Sequence, residues 1–214
     1  MIATPLRPTG PRPPVLVADA LAAARRDRAR AAIVVEGWSD QAAIEALAAR
    51  QGADLQGEGI VVVPIGGVTN LVAFARALGP PGLGLALAGL YDRGEERQAL
   101  QHLARSGVAA ASTRAGAEAI GFFVCDADLE DELIRALGTA RVEQVLDAAG
   151  DLWSFRRFQD QPHQRGREHA AQLRRFMGTR AGRKVRYGAL LIEALDTNEM
   201  PQPLLRVLAR ARQA

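Results

Sequence analysis

Lysine is almost missing from this 214-residue chain: among its 27 basic residues Lys184 is the single lysine, and every other one is arginine. A position that keeps lysine where arginine is used everywhere else can be one that needs a compact ammonium, which the planar guanidinium does not imitate. Chance retention is the plain alternative. Cysteine is equally scarce, and Cys125 alone excludes an internal disulfide and fits a reducing cytoplasm. No apolar run reaches the ~20 residues that span a bilayer. The start of the chain (Pro5, Pro8, Pro11, Pro13, Pro14) is rich in proline and lacks the apolar core of a signal peptide, so a flexible arm is expected there. Neither G-x-G-x-x-G nor G-x-x-x-x-G-K-[ST] occurs, which excludes a dinucleotide fingerprint and a phosphate loop, and with it any visible ATPase machinery. His102, His163 and His169 have no metal-type spacing and no cysteine partners, and read as surface residues.

What is present is a hydrophobic content of 48%, enough for a real core, and a net charge of +3. The chain is organised around Ala31-Ala32-Ile33-Val34-Val35-Glu36-Gly37-Trp38-Ser39-Asp40. A β-branched run stops at a carboxylate, a glycine turns the chain, and Ile44, Leu47 and Ala48 follow at helical spacing. Glu36 is therefore expected at the carboxyl end of a buried strand, and Asp40 in the first turn of a helix that Ser39 could cap. The pattern repeats. Residues 59–67 form a second apolar run ending in Gly66-Gly67, with a helix over 68–78 carrying Leu71, Val72, Ala75 and Leu78. Residues 83–91 form a third run closing on Asp92-Arg93-Gly94-Glu95-Glu96, with a helix to about Arg105. Residues 119–125 form a fourth run ending in Asp126-Ala127-Asp128-Leu129-Glu130-Asp131, which opens a helix containing Leu133, Ile134 and Leu137. Strands alternating with helices of this length imply an α/β fold: a mainly parallel four-stranded sheet flanked by helices, with a C-terminal helical extension. The divisions expected are a proline-rich arm and lead-in over 1–28, a core over 29–140, and a basic helical extension over 141–214 with helices near 142–149, 185–195 and 203–212.

Three of the four strands end in acid: Glu36 and Asp40, then Asp92 and Glu95, then Asp126, Asp128 and Glu130. In a parallel sheet these ends share one edge, where open α/β sheets bind ligands. Crowded like charge costs free energy unless cations compensate it. Oxygen donors suit Mg2+ or Mn2+, and so many acids suggest two ions, as in phosphodiester hydrolysis. Acidic helix N-termini favoured by the macrodipole are the simpler reading of any single cluster.

Val35-Glu36-Gly37-x-x-Asp40, Pro64-x-Gly66-Gly67-x-x-Asn70 and an apolar strand closing on Asp92 together resemble the TOPRIM domain. This metal-binding module is shared by topoisomerases, bacterial primases and OLD-family (overcoming lysogenization defect) nucleases. The glycine pair with Asn70, and Asp128-Leu129-Glu130, are similar to the OLD branch in particular, with a weaker echo around Arg183-Lys184-Val185. The resemblance implies a Rossmann-like TOPRIM core and a cytoplasmic, Mg2+- or Mn2+-dependent DNA endonuclease. In it, Glu36 would be a metal ligand or acid/base, with Asp40, Asp92, Asp128 and Glu130 as further ligands, and Lys184 would steady charge on the transferring phosphate. The chain departs from the family's D-x-D motif at Gly94, so Glu95 or Glu96 would have to stand in. OLD proteins usually carry an ATPase domain ahead of TOPRIM and none is seen here, so the resemblance implies either a free-standing nuclease or the nuclease subunit of a split system with a separate ATPase subunit. DNA is the expected partner, a homodimer is one assembly open to it, and no membrane is involved.

Residues 156–186 concentrate Arg156, Arg157, Arg165, Arg174, Arg175, Arg183 and Arg186, interleaved with Phe158 and Phe176. This tract reads as a track for a phosphate backbone, or else as a solvated helical surface. Other readings keep less. A catalytically weak nucleic-acid-binding TOPRIM module would follow from the Gly94 departure. Phosphotransfer receivers and aspartate-nucleophile phosphatases would need aspartate where Glu36 stands, and a topoisomerase would need a tyrosine-bearing cleavage domain.

Overall fold

The computed structural model describes residues 13–108, 112–180 and 182–214, so the proline-rich arm through Arg12 lies outside the described residues. The chain runs α1 (Val17–Arg26), β1 (Ala31–Val35), α2 (Trp38–Arg50), β2 (Ile60–Pro64), α3 (Leu71–Leu78), β3 (Ala86–Asp92), α4 (Glu96–Ser106), α5 (Arg114–Ala119) and β4 (Phe122–Cys125). Six helices follow: α6 (Leu129–Leu137), α7 (Thr139–Ala148), α8 (Leu152–Gln159), α9 (His169–Met177), α10 (Arg183–Ala194) and α11 (Gln202–Arg212). The strands pair in parallel throughout, in the order β2-β1-β3-β4.

β1 is buried along its whole length because it is central and both its faces are covered. Ala31, Ile33 and Val35 enter one apolar cluster, and Ala32 and Val34 enter the other. This is the period-two alternation of a strand between two helical layers, and each buried Val or Ile contributes about 1.5–3 kcal/mol. α2 and α6 to α11 supply the first layer, and α1, α3, α4 and α5 the second. α1, within the stretch expected to be lead-in, buries Ala20 and Ala24 against the second face. α5 ends on Ala119, where the fourth strand was expected to begin, and the strand itself is the shorter Phe122–Cys125. Thr113, whose hydroxyl accepts from Gly116 N at 3.1 Å, caps it.

The C-terminal helices pack back onto the same sheet. Leu204, Val207, Leu208 and Ala211 of α11 join the cluster containing β1 and β3, and α10 lies across α2. The α2–α10 crossing depends on Gly188: a Cβ there would stand 2.6 Å from Ser39 O. Gly188→Ala is expected to cost about 1–3 kcal/mol and to lower the thermal midpoint by several degrees in circular-dichroism melts. An unchanged midpoint would mean that the two helices are not held this close.

The chain leaves β1 toward β2 on one side and returns to β3 on the other, so the order of connection reverses between β1 and β3. In an open parallel sheet that crevice, outside the carboxyl ends, is where ligands bind. Glu36 follows β1 and Asp92 ends β3.

Candidate active site

A cavity of about 290 Å³ opens at this crevice, lined by Glu36, Asp40, Asp92, Asp128, Glu130 and Lys184, with Gly66 and Gly67 on its rim. Each acid is brought there by a different local device. Glu36 is delivered by the end of β1, and its backbone oxygen accepts from Gly66 N at 2.9 Å and Gly67 N at 3.3 Å. These two glycines have φ of 73° and 110°, a conformation that side chains rarely adopt. Asn70 locks the loop by donating from Nδ2 to Ile65 O at 2.8 Å. The glycine-pair motif thus ties the end of β2 to the residue that carries the Glu36 carboxylate.

Asp40 is buried and its Oδ2 accepts from Gly37 N at 2.8 Å, so it caps α2 while its other oxygen is left to the cavity. Ser39, expected as the cap, is buried one residue earlier, and Asp40 does that work instead. Asp128 caps α6 through Asp131 N at 2.9 Å. Its second oxygen is held by Arg174 of α9, at 2.7 Å from Nε and 2.6 Å from the guanidinium terminus. Glu130, only 2% exposed, meets Lys184 Nζ at 2.8 Å through Oε2, and its Oε1 has no hydrogen-bond partner.

The electrostatics follow from crowding in a partly desolvated crevice. Burial, then the charge of Glu130, pushes Asp40 up to about 7, against the pull of Gly37 N–H and Lys184. Burial, then the Glu36 and Asp40 charges, pushes Asp92 up to about 8. Glu36 is raised by burial and by Glu95, with a hydrogen bond from Asp92 working the other way. Glu130 is raised by burial in spite of Lys184. Burial works to lower the Lys184 ammonium, but the charges of Glu130, Asp128 and Asp40 outweigh it and hold its pKa above the usual value. The site therefore carries more carboxylate than its two cations, Lys184 and Arg174, neutralise.

The donors fit a hard divalent cation: they are all carboxylate oxygens, they are crowded enough to keep protons, and one buried oxygen of Glu130 is unpartnered. Among the described residues no three His, Cys, Asp or Glu side chains already form a metal-ligating cluster. Asp126, grouped with the metal ligands from sequence, is outside the cavity; it is exposed and paired with Arg93 and with Arg135 at 3.1 Å. Glu95 does not line the cavity either, although its charge reaches Glu36. Glu96, the other stand-in at the Gly94 gap, is committed to Arg114 at 2.8 Å.

The basic tract divides by role. Arg183 is buried, donates to Phe176 O, Thr179 Oγ1 and Asp151, and lies 3.9 Å over the Phe176 ring, so it braces the helical packing. Arg156 pairs with Glu143 through both terminal nitrogens, and Arg186 donates to Ala149 O. Arg174 faces Asp128. Arg157, Arg165 and Arg175 form no ion pair among the described residues and stay exposed. The role of Arg174 was not legible in sequence, because it belongs to α9 and its partner to the N-terminus of α6. His102 Nδ1 meets Val68 O at 2.9 Å and steadies the loop after β2, and His169 pairs with Glu143. Among the described residues no helix is long and apolar enough to cross a membrane.

Residues 29–93 match the family model described as "Overcoming lysogenization defect protein-like, TOPRIM domain". Among solved structures, the C-terminal region of the Burkholderia pseudomallei OLD protein is 24% identical with a TM-score of 0.66, over 86% of this chain and 98% of that one. The C-terminal region of the Xanthomonas campestris pv. campestris OLD protein is 25% identical with a TM-score of 0.65, over 87% of this chain and 93% of that one. A comparison with curated protein sequences finds no match.

Proposed function

We propose, from the premise that this chain carries an OLD-like TOPRIM domain in the fold of OLD C-terminal regions, that it is a DNA endonuclease dependent on Mg2+ or Mn2+. The observation that carries the reading is the convergence of Glu36, Asp40, Asp92, Asp128, Glu130 and Lys184 on one cavity at the switch point of the sheet. Glu36, Asp40 and Asp92 would hold one ion, and Glu130 with Asp128 a second. When bound, such ions supply a nucleophilic water and a counter-charge for the leaving oxygen.

The chain's own groups do the rest. Glu36, whose carboxylate burial raises above its ordinary range, accepts the proton of the attacking water at Oε. In the cation-free site Asp92 orients that carboxylate by hydrogen bonding, and it would give up its proton on ligating the ion. Lys184 Nζ, half exposed in the cavity wall and 2.8 Å from Glu130, meets the negative charge that grows on the phosphate. Arg174 holds Asp128 in place, and yields or shares it when a cation enters.

Incubation of supercoiled plasmid in Mg2+, in Mn2+ and in EDTA tests this. Nicked or linear product is expected only with metal, and Glu36→Gln is expected to lower the rate by a hundredfold or more. Cutting in EDTA, or cutting that survives Glu36→Gln, would overturn the proposal. Plasmid retarded on a gel but uncut in either metal would favour the weak binding-module reading, which the unfilled Gly94 position supports, or a requirement for a separate ATPase partner.

A further inference from the structure

A second cavity, of about 760 Å³, lies among the C-terminal helices between α8, the turn at Pro162–Gln164, α9 and the start of α10. Trp153 stands on it with 69% of its surface exposed, although large apolar side chains elsewhere in the described residues are nearly all covered. The Arg157 guanidinium sits 4.9 Å over the indole. Arg157, Arg175 and Arg180 line the cavity without an ion-pair partner among the described residues, and no carboxylate is among its lining residues. Gln164 also lines it. This residue is 0% exposed, yet neither its amide nitrogen nor its amide oxygen has a hydrogen bond. Only its backbone is used: the oxygen accepts from Gln172 Nε2 at 2.8 Å and the N–H donates to Gln161 O at 2.9 Å. Buried amides are normally satisfied, so an unused donor and acceptor side by side mark a place for a partner.

An exposed indole, uncommitted arginines and a paired donor and acceptor together match an unstacked nucleotide. The base needs a π-face, its phosphates need counter-charges, and its edge offers complementary donors and acceptors. The cavity is also coupled to the acidic one through the same two helices. Arg174 of α9 binds Asp128 while its neighbour Arg175 lines the second cavity. On α10, Lys184 lines the first cavity and Arg183 the second.

We propose that this cavity takes a single unstacked base of the DNA strand. Trp153 stacks on the base, Gln164 hydrogen-bonds its edge, and Arg157, Arg175 and Arg180 meet the flanking phosphates. The chain would thus prefer an unpaired strand or a frayed end to intact duplex. The ligand class rests on the nuclease reading above.

The test is fluorescence anisotropy of the full chain in EDTA, with a 5′-fluorescein 12-nucleotide single strand and the matching blunt duplex. Trp153→Ala is expected to weaken the single strand about tenfold or more, with Trp153→Phe within about threefold of the parent and duplex affinity unmoved. Gln164→Leu is expected to weaken the single strand while the melting temperature holds or rises, whereas a purely structural glutamine would lower it. Unchanged single-strand binding in Trp153→Ala, or an equal loss on duplex, would overturn the proposal. Plasmid cleavage by the parent is scored separately. Loss of single-strand binding in Trp153→Ala beside a parent that never cuts would keep the base site and count only against unaided cleavage. A parent that cuts, with unchanged binding in Trp153→Ala, would keep the nuclease reading and sink the base site.

Discussion

Lys184→Ala is expected to reduce metal-dependent plasmid nicking by a hundredfold or more, with DNA affinity changed only a few-fold. The size follows from what one preorganised counter-charge contributes where charge develops in the transition state. The same change also has a structural consequence. Glu130 is 2% exposed and Lys184 Nζ, 2.8 Å away, is the cation that meets it. Removing the ammonium leaves a buried carboxylate uncompensated or forces it to keep a proton, at a cost on the order of 2 kcal/mol given that Lys184 itself is half exposed. The double variant Glu130→Gln/Lys184→Ala isolates the structural role, because it should recover most of the lost melting temperature, while nicking stays lost with both the ammonium and a proposed cation ligand removed. Recovered nicking in the double variant would mean that Lys184 only balances Glu130. Lys184→Arg is expected to stay well below the parent, because a planar fork does not replace a compact ammonium in a cavity of this size.

The second large effect is on stability against pH. Asp40 and Asp92 hold their protons up to about 7 and about 8, whereas in the unfolded chain both lose them near 3.8. Between those limits the folded state binds more protons than the unfolded one, so stability falls as pH rises through that window. Their contribution is complete below about pH 4 and lost above about pH 8. In EDTA the melting temperature is therefore expected to drop by roughly 5–10 °C from pH 5 to pH 8. Mn2+ should raise it far more at pH 8 than at pH 5, since a bound cation replaces the protons. Surface acids held low by arginine, Glu58 by Arg212 and Glu96 by Arg114, act in the opposite sense but at lower pH. Asp92→Asn should flatten the slope. A melting temperature that is level across this range, or equally raised by Mn2+ at both ends, would show that the carboxylates are neither crowded nor a cation site.

The main elements of the fold were legible because their signals are local. A β-branched run such as Ala31–Val35, bounded by a carboxylate and a glycine, is a buried strand whatever surrounds it. The parallel arrangement followed from the helices between such runs. α5 was missed because six residues, Arg114–Ala119, carry too little periodicity to separate from the apolar run that follows them. Glu36, Asp40, Asp92, Asp128 and Glu130 could be gathered from sequence because each terminates a strand or opens a helix on one edge of a parallel sheet.

Which charges belong to the site was a tertiary decision. Asp126 has the same sequence context as Asp128, yet one is tied to Arg93 and Arg135 outside the cavity and the other is tied to Arg174 within it. Arg183 and Lys184 are consecutive, and the turn of α10 sends the first into the packing with Phe176 and Asp151 and the second to Glu130. A charged side chain costs little in water and is costly when buried alone, so its role is set by the partner that folding places beside it. By itself the sequence determined the strands, their acidic ends and the lone lysine. Only the packing of α9 and α10 against α6 and α2 decided which acids that lysine serves.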